Sequence, residues 1–287
     1  MGKVKDVLKS FMLRVKYPTT KVMNTNDTID YILKNKCSIG RFGDGELCVM
    51  NGGGISFQNA NAKLAEDLKK VKTTNKFLVC IPNVFNKKEF NLKKLTKEEY
   101  KFWKREVFLR KGFWNKYFSF NIQVGDAFLS RFYLRYLDKE STKLTLVQLK
   151  KLWDSRDIVF VEGAGSRLGV GNDLFDNAKS IKRIVGPMKH SFEKIEQLKA
   201  EMRKIGDKNT LFILALGPTA TVLAYQMSEE FQCLDLGHID IEYEWQKMGT
   251  LKKVPVPSKF VNEVEDGSGL SESEDKEYKS QIICKVE

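Results

Sequence analysis

From residue 157 onward, short apolar runs alternate with amphipathic stretches, and this alternation constrains the fold more than any other feature of the chain. Residues 158–161, 183–185, 211–216 and a short run near Leu234 read as strands. Residues 173–178, 191–205 and 219–227 between them read as helices. Strands that are apolar throughout need cover on both faces, so the pattern implies an α/β, Rossmann-like architecture with a mainly parallel sheet flanked by helices. Ligands of such sheets gather at the carboxyl ends of the strands, where the polar motifs of this chain also fall.

Upstream, a helix beginning near Asn26 leads into a strand at 38–42, and a helix over 61–71 precedes the apolar run at 77–81, which Pro82 ends. Residues 86–155 carry Phe102, Trp103, Phe108, Phe113, Trp114, Tyr117 and Phe118 on helical patterns with little strand signal. They read as an aromatic-rich helical insertion over the mouth of a site, most rings serving as core. The expected organisation is a basic amphipathic helix over 1–20, one catalytic domain over 21–260, and an acidic, mobile tail over 261–287 in which Cys284 has no structural part. In the first helix Val4, Val7, Leu8, Phe11, Met12 and Val15 recur at helical spacing, with Lys3, Lys5, Lys9, Arg14 and Lys16 elsewhere on the wheel. Such a helix packs on its own domain, on a partner chain as in a homo-oligomer, or on an anionic membrane surface.

At 287 residues with 42% hydrophobic content, the chain can bury one large core or two smaller ones. No run of eighteen apolar residues occurs and the N-terminus lacks the apolar core of a secretory signal, so the expected location is cytoplasmic, with peripheral contact at the inner face of the cell membrane. Five scattered cysteines without a CxxC pair fit reduced thiols. With only His190 and His238 available, a bound metal would be held by oxygen, which favours Mg²⁺ or Mn²⁺ over zinc. The formal charge is +12, and because residues 263–287 hold eight acids against three lysines, the rest of the chain stands at +17. That surface suits a charged nucleotide or acidic lipid headgroups; with no nucleic-acid motif in the chain, nucleic acid is not an expected partner.

Four motifs carry the chemistry. Arg41-Phe42-Gly43-Asp44-Gly45-Glu46 sets two carboxylates two residues apart between glycines. In extended backbone they would point to one side and converge on a cation, on a helix they would diverge, and an ordinary polar turn is the plain alternative. The glycine-rich stretch Glu162–Asp173 offers backbone N–H groups to a phosphate, the Arg167 guanidinium to its oxygens, and Asn172 or Asp173 as the cap of a following helix. It includes Gly163, Gly165 and Gly169, a spacing also found in S-adenosylmethionine sites, or it is a loop made for tight packing. Residues 216–221, with Gly217, Pro218 and Thr219, run from a strand into a helix whose N-terminus suits a diphosphate, or is simply a Pro-initiated helix. His238–Trp245 alternates polar and apolar residues: extended, it stacks His238, Asp240, Glu242 and Glu244 on one face, whereas as a helix it brings Asp240 and Glu244 together. One of these acids then serves as general base, or the segment is a half-solvated edge strand.

Taken together, these blocks resemble the bacterial glycosyltransferases of the GT-D fold, first catalogued as a domain of unknown function in streptococcal glycosylation loci. The resemblance spans residues 24–250 and rests on Arg-Phe-Gly-Asp-Gly-Glu at 41–46, Arg-Leu-Gly-Val-Gly-Asn-Asp-Leu-Phe at 167–175 and Gly-His-Ile-Asp-Ile-Glu-Tyr-Glu-Trp at 237–245. It implies a UDP-sugar donor, Mn²⁺ or Mg²⁺ bridging the diphosphate, and a growing glycan on protein or lipid as acceptor, with glucose among the sugars transferred in the family. Asp44 and Glu46 carry over as metal and catalytic residues, with Arg41, Gly43 and Gly45 beside them. Arg167, Gly169, Asn172, Asp173 and His238 would then face the nucleotide; Gly217 and Thr219, outside the matched blocks, join them only because they stand at a strand end, and Asp240 or Glu244 as the base is an inference from their chemistry. Two rival readings are a methyltransferase built on the 162–169 loop and a membrane-surface scaffold for glycan assembly that uses the first helix.

Overall fold

The computed structural model describes residues 2–85, 92–261, 263–264 and 273–287. Eight strands, β1 (Ser38–Arg41), β2 (Phe77–Ile81), β3 (Gly125–Asp126), β4 (Asp157–Gly163), β5 (Ser180–Gly186), β6 (Leu211–Ala215), β7 (Gln232–Asp235) and β8 (Ile282–Lys285), form one sheet. Its order is β3-β2-β1-β7-β6-β4-β5-β8, and every pairing is parallel. Among the described residues ten α-helices accompany it: α1 (Gly2–Lys16), α2 (Thr25–Asn35), α3 (Asp44–Met50), α4 (Ala62–Lys70), α5 (Lys97–Phe118), α6 (Lys139–Lys150), α7 (Ile195–Ile205), α8 (Pro218–Met227), α9 (Ile239–Met248) and α10 (Lys276–Gln281).

Burial explains the apolar runs. In β6 the side chains of Phe212 and Leu214 enter one core and those of Leu211, Ile213 and Ala215 enter the other, because successive residues of a strand point to opposite faces. Helices cover both faces of the central strands, which are therefore apolar on both sides, while the edge strand β8 and the start of β5 keep exposed positions such as Lys285 and Lys182. No helix among the described residues is long and apolar enough to cross a membrane.

The described part of 86–155 is mainly helical, in α5 and α6, and Phe102 and Trp103 line a cavity at the strand ends; Trp103, Trp114 and Phe118 of α5 enter the same core as Phe42 and Phe85, and the two-residue β3 adds to the sheet edge through its pairing with β2. Residues 86–91 of that expected insertion lie outside the described residues. Two other expectations are corrected. Residues 173–178 form turns rather than a helix. Asn172 Oδ1 accepts from Leu174 N at 3.0 Å and Asn177 Nδ2 donates to the Lys150 carbonyl at 2.9 Å, so side chains take up hydrogen bonds that a helix would need for its own turns. Nor is the whole C-terminal segment a mobile tail. β8 pairs with β5, Cys284 stands opposite Ile184 and packs on the core, and Tyr278 of α10 is buried. The acidic stretch at 265–272 lies outside the described residues.

Candidate functional site

The carboxyl ends of β1, β4, β6 and β7 surround a cavity of about 530 Å³. The loop after β1 enters it first. Gly43 caps α3, and Glu46, at the third helical position, folds back so that its Oε2 accepts from the Gly43 N–H at 2.7 Å. Asp44 and Glu46 are therefore on the first turn of a helix, not on extended backbone, and two helical steps, about 200° of rotation, explain why they leave the axis in different directions. What brings both to the cavity is the placement of this turn at the strand end. Asp44 is exposed. Burial, with Asp235 nearby, pushes the Glu46 carboxyl up to about 7 against the opposing Gly43 N–H.

Arg41 sits at the last position of β1 and ties two strand ends together. Its Nη2 bonds Asp235 Oδ1 and the Gly237 carbonyl, both at 2.9 Å, and its Nε bonds the Asp235 carbonyl at 2.7 Å. Asp235 Oδ2 in turn accepts from the Arg41 N–H at 3.0 Å and from Thr221 Oγ1 at 3.1 Å. Arg41 is thus a strut of the cavity floor as well as a lining residue.

His238, with φ 79, marks the turn from β7 into α9, so the segment from 239 is helical, the second of the two conformations its alternation allowed. His238 lines the cavity edge-on to Trp245, and burial beside Arg131 lowers its pKa well below the usual value, leaving the imidazole neutral. Opposite it, Glu263 is held by Arg131 Nη1 at 2.6 Å and Lys253 Nζ at 2.8 Å. Burial resists ionisation of Glu263, but the cations of Arg131 and Lys253 outweigh it and hold the carboxyl far below the usual range.

Asp240 and Glu244 do share a face of α9, yet neither is free. Lys259 Nζ reaches Asp240 Oδ2 at 2.7 Å and Glu244 Oε1 at 2.9 Å, and Asn172 Nδ2 donates to both, at 2.8 and 2.6 Å. Asp240 also accepts from the Gly169 N–H at 2.9 Å. With three donors on its oxygens, Asp240 pins the 167–172 loop to α9.

The glycine-rich loop differs from the phosphate cradle expected of it. The Leu168 N–H is taken by Glu162 Oε2 at 2.7 Å, and the Ala164 N–H by the Gly186 carbonyl. Arg183 closes the loop through Glu162 Oε1 at 2.5 Å and the Leu168 carbonyl at 2.8 Å. Arg167 is buried, with φ 46, and donates from Nη1 to the Ser258 carbonyl at 2.7 Å, away from the cavity. The loop still reaches the cavity, which Gly163, Ser166 and Leu168 line, but the Ala164, Leu168 and Gly169 amides are spent on groups within the fold rather than turned to an incoming anion.

Of the residues singled out from sequence, Arg41, Gly43, Asp44, Gly45, Glu46, Gly217, His238 and Asp240 line one cavity. Arg167, Gly169, Asn172, Asp173, Thr219 and Glu244 support it from behind or lie outside it. Asp173, for example, is half-exposed and accepts from Tyr243 Oη and Lys247 Nζ, both at 2.9 Å. At Gly217 φ is 56 and an added Cβ would lie 2.3 Å from the Phe57 ring, so only glycine fits where β6 turns into α8. Phe57, Arg131, Asp235, Lys253 and Glu263 also line the cavity, and sequence reasoning passed over them. Asp235 alone had a signal: it ends the short apolar run at 232–235, a strand terminus.

A parallel sheet flanked by helices with a polar cavity at its strand ends defines a Rossmann-like ligand-binding fold. The chain belongs to the glycosyltransferase GT-D fold family, whose model matches residues 39–264. It is 34% identical over 290 residues to the glycosyltransferase GlyD of Streptococcus pneumoniae serotype 4, covering 100% of this chain and 35% of that protein. It is also 34% identical over 275 residues to the probable glycosyl transferase Gly of Streptococcus gordonii, covering 92% of this chain and 39% of that one. The chain therefore spans little more than a third of the length of these relatives. Among solved structures it resembles the highly conserved domain of unknown function 1792, described as having a distinct glycosyltransferase fold, with a TM-score of 0.89 at 35% identity over 98% of this chain and 100% of that one. A glycosyltransferase of the same domain class from Streptococcus sanguinis superposes with a TM-score of 0.83 at 33% identity, over 93% of this chain and 100% of that one.

Proposed function

We propose that this chain transfers a hexose, with glucose the first to test, from a UDP-sugar to a hydroxyl of a growing glycan on protein or lipid. The observation that carries the reading is the placement of Asp44 and Glu46 on one helical turn at the rim of a cavity bounded by four strand ends. Among the described residues no group of three or more His, Cys, Asp or Glu side chains converges on a point where a metal would sit. Mg²⁺ or Mn²⁺ need only one or two carboxylates, since they keep waters and take the remaining oxygens from substrate phosphates. Asp44, exposed at the rim, would offer its carboxylate to such an ion while Glu46, bonded back to the Gly43 N–H, holds the turn in place, and when bound the ion would stabilise negative charge on the departing diphosphate.

The chain's own residues do the rest. Arg41 fixes the separation of the β1 and β7 ends, and the N-terminus of α8 behind Gly217 adds partial positive charge facing the cavity. Asp240 and Glu244 keep the 167–172 loop in register through Asn172, a positioning part in place of the proton transfer suggested by sequence.

The test is UDP release from a panel of UDP-sugars with Mn²⁺, Mg²⁺ or EDTA, for wild type, Glu46→Ala and Asp44→Ala/Glu46→Ala. Metal-dependent turnover of one donor, abolished in both variants while circular dichroism is unchanged, is the expected result. An active, metal-dependent Glu46→Ala protein would remove the assignment of this turn, and methyl transfer from S-adenosylmethionine with no UDP binding would replace the reading altogether.

A further inference from the structure

The face of α1 turned away from the protein is apolar, and we propose that it docks the chain on an anionic lipid bilayer. α1 is seated on α5 by its polar side. Ser10 Oγ accepts from the Gly112 N–H at 3.2 Å, Arg14 donates to the carbonyl of Val107 at 2.7 Å and to that of Phe108, and the Tyr17 carbonyl just beyond the helix accepts from Asn115 Nδ2 at 3.3 Å. Ser10 is 1% exposed. Leu8, Phe11, Met12 and Val15, spaced i, i+3, i+4 and i+7, are left 60%, 65%, 65% and 81% exposed. A stripe of this spacing ordinarily faces a core. Here the helix is bound the other way round, and Phe108, whose carbonyl Arg14 holds, continues the apolar surface onto α5 at 65% exposure.

Charge decides what covers this surface. The sequence of α1 carries five basic residues and one acid, Lys9 and Lys16 flank the stripe in solvent, and α5 adds exposed Lys101, Lys104 and Arg105. A second copy laid face to face would set these cations against their own kind. Anionic headgroups neutralise them, while lysine stems lie along the boundary and the apolar side chains enter the acyl region, the arrangement of interfacial amphipathic helices. Roughly 1 kcal/mol per basic residue near an anionic surface adds to the apolar burial. This inference does not depend on the transferase reading.

Flotation of the full chain with vesicles tests it, using phosphatidylcholine alone and phosphatidylcholine mixed with phosphatidylglycerol, at low and high salt. Wild type is expected to float with the anionic vesicles only, and less at high salt. Phe11→Ser/Met12→Ser and Lys9→Glu/Lys16→Glu, all at solvent-exposed positions, are expected to lower the bound fraction roughly tenfold or more with circular dichroism unchanged. Equal flotation of wild type and both variants, or no preference for anionic vesicles, overturns the proposal. So does a dimer seen by light scattering that Phe11→Ser/Met12→Ser dissociates, because the face would then belong to a second copy.

Discussion

Lys259 holds two carboxylates with a single ammonium, and replacing it tests how the site is kept in shape. Lys259 and Asp240 side chains are each 1% exposed, whereas Glu244 is 13% exposed. Lys259→Met keeps the aliphatic stem and removes the charge. Stranding one member of a buried ion pair costs about 3–5 kcal/mol. The expected loss is near the lower bound, about 3 kcal/mol, because Asp240 keeps the Gly169 N–H and Asn172 Nδ2 and because Glu244 can turn toward water. Urea denaturation at pH 7 with an unchanged slope measures it. The second arm is Lys259→Met/Asp240→Asn, which removes the stranded charge and should recover more than half of the loss. Hydrogen exchange at the Gly169 amide should rise in the single variant, as the 167–172 loop loosens from α9. A loss under about 1 kcal/mol, or a double variant no more stable than Lys259→Met, would refute the account of this cluster as a buried, coupled unit.

Two further outcomes follow from buried groups elsewhere. Asp126 is fully buried, accepts from Thr25 Oγ1 at 2.6 Å, Asn83 Nδ2 at 2.9 Å and the Phe128 N–H at 2.9 Å, and burial still pushes its carboxyl up to about 6 from 3.8. An acid whose folded pKa is raised binds more protons folded than unfolded between those values, so its contribution to stability falls as pH rises from about 4 through 6. The stability of wild type relative to Asp126→Asn should therefore drop by up to about 3 kcal/mol across that window, read by denaturation at each pH, and a flat difference would contradict it. At Gly112 an added Cβ would stand 1.9 Å from the Ser10 carbonyl oxygen, so Gly112→Ala should unseat α1 while improving the helix propensity of α5 by roughly 1 kcal/mol. The expected signature is faster trypsin cleavage within residues 1–18 at a nearly unchanged melting temperature; an N-terminus as resistant as wild type would show that the close approach is unimportant.

The sequence by itself determined the alternating strands and helices, because an all-buried parallel strand must be a continuous apolar run: residues 77–81, 158–161 and 211–215 could hardly fold otherwise in water. It also held the start of α3, since a glycine three residues ahead of Glu46 and an apolar stretch after it is a helix-start pattern, although the acid pair drew attention to an extended reading instead. Periodicity found α1 but not its seating, for a helical wheel says which residues share a face and nothing about which face meets a neighbour. β8 was illegible because Ile282–Lys285 is a short run in an acidic, Ser-rich context, and only the free edge of β5 makes it a strand. Direction was undecidable in the same way at Arg167, where a guanidinium suited to phosphate turns to the Ser258 carbonyl, and at Asp240, whose partner Lys259 stands 19 residues on in a loop without a motif. Tertiary structure alone decided which charged groups face the cavity and which are spent on holding it together, because that division depends on neighbours brought near by folding and on the cost of leaving any of them buried and unpaired.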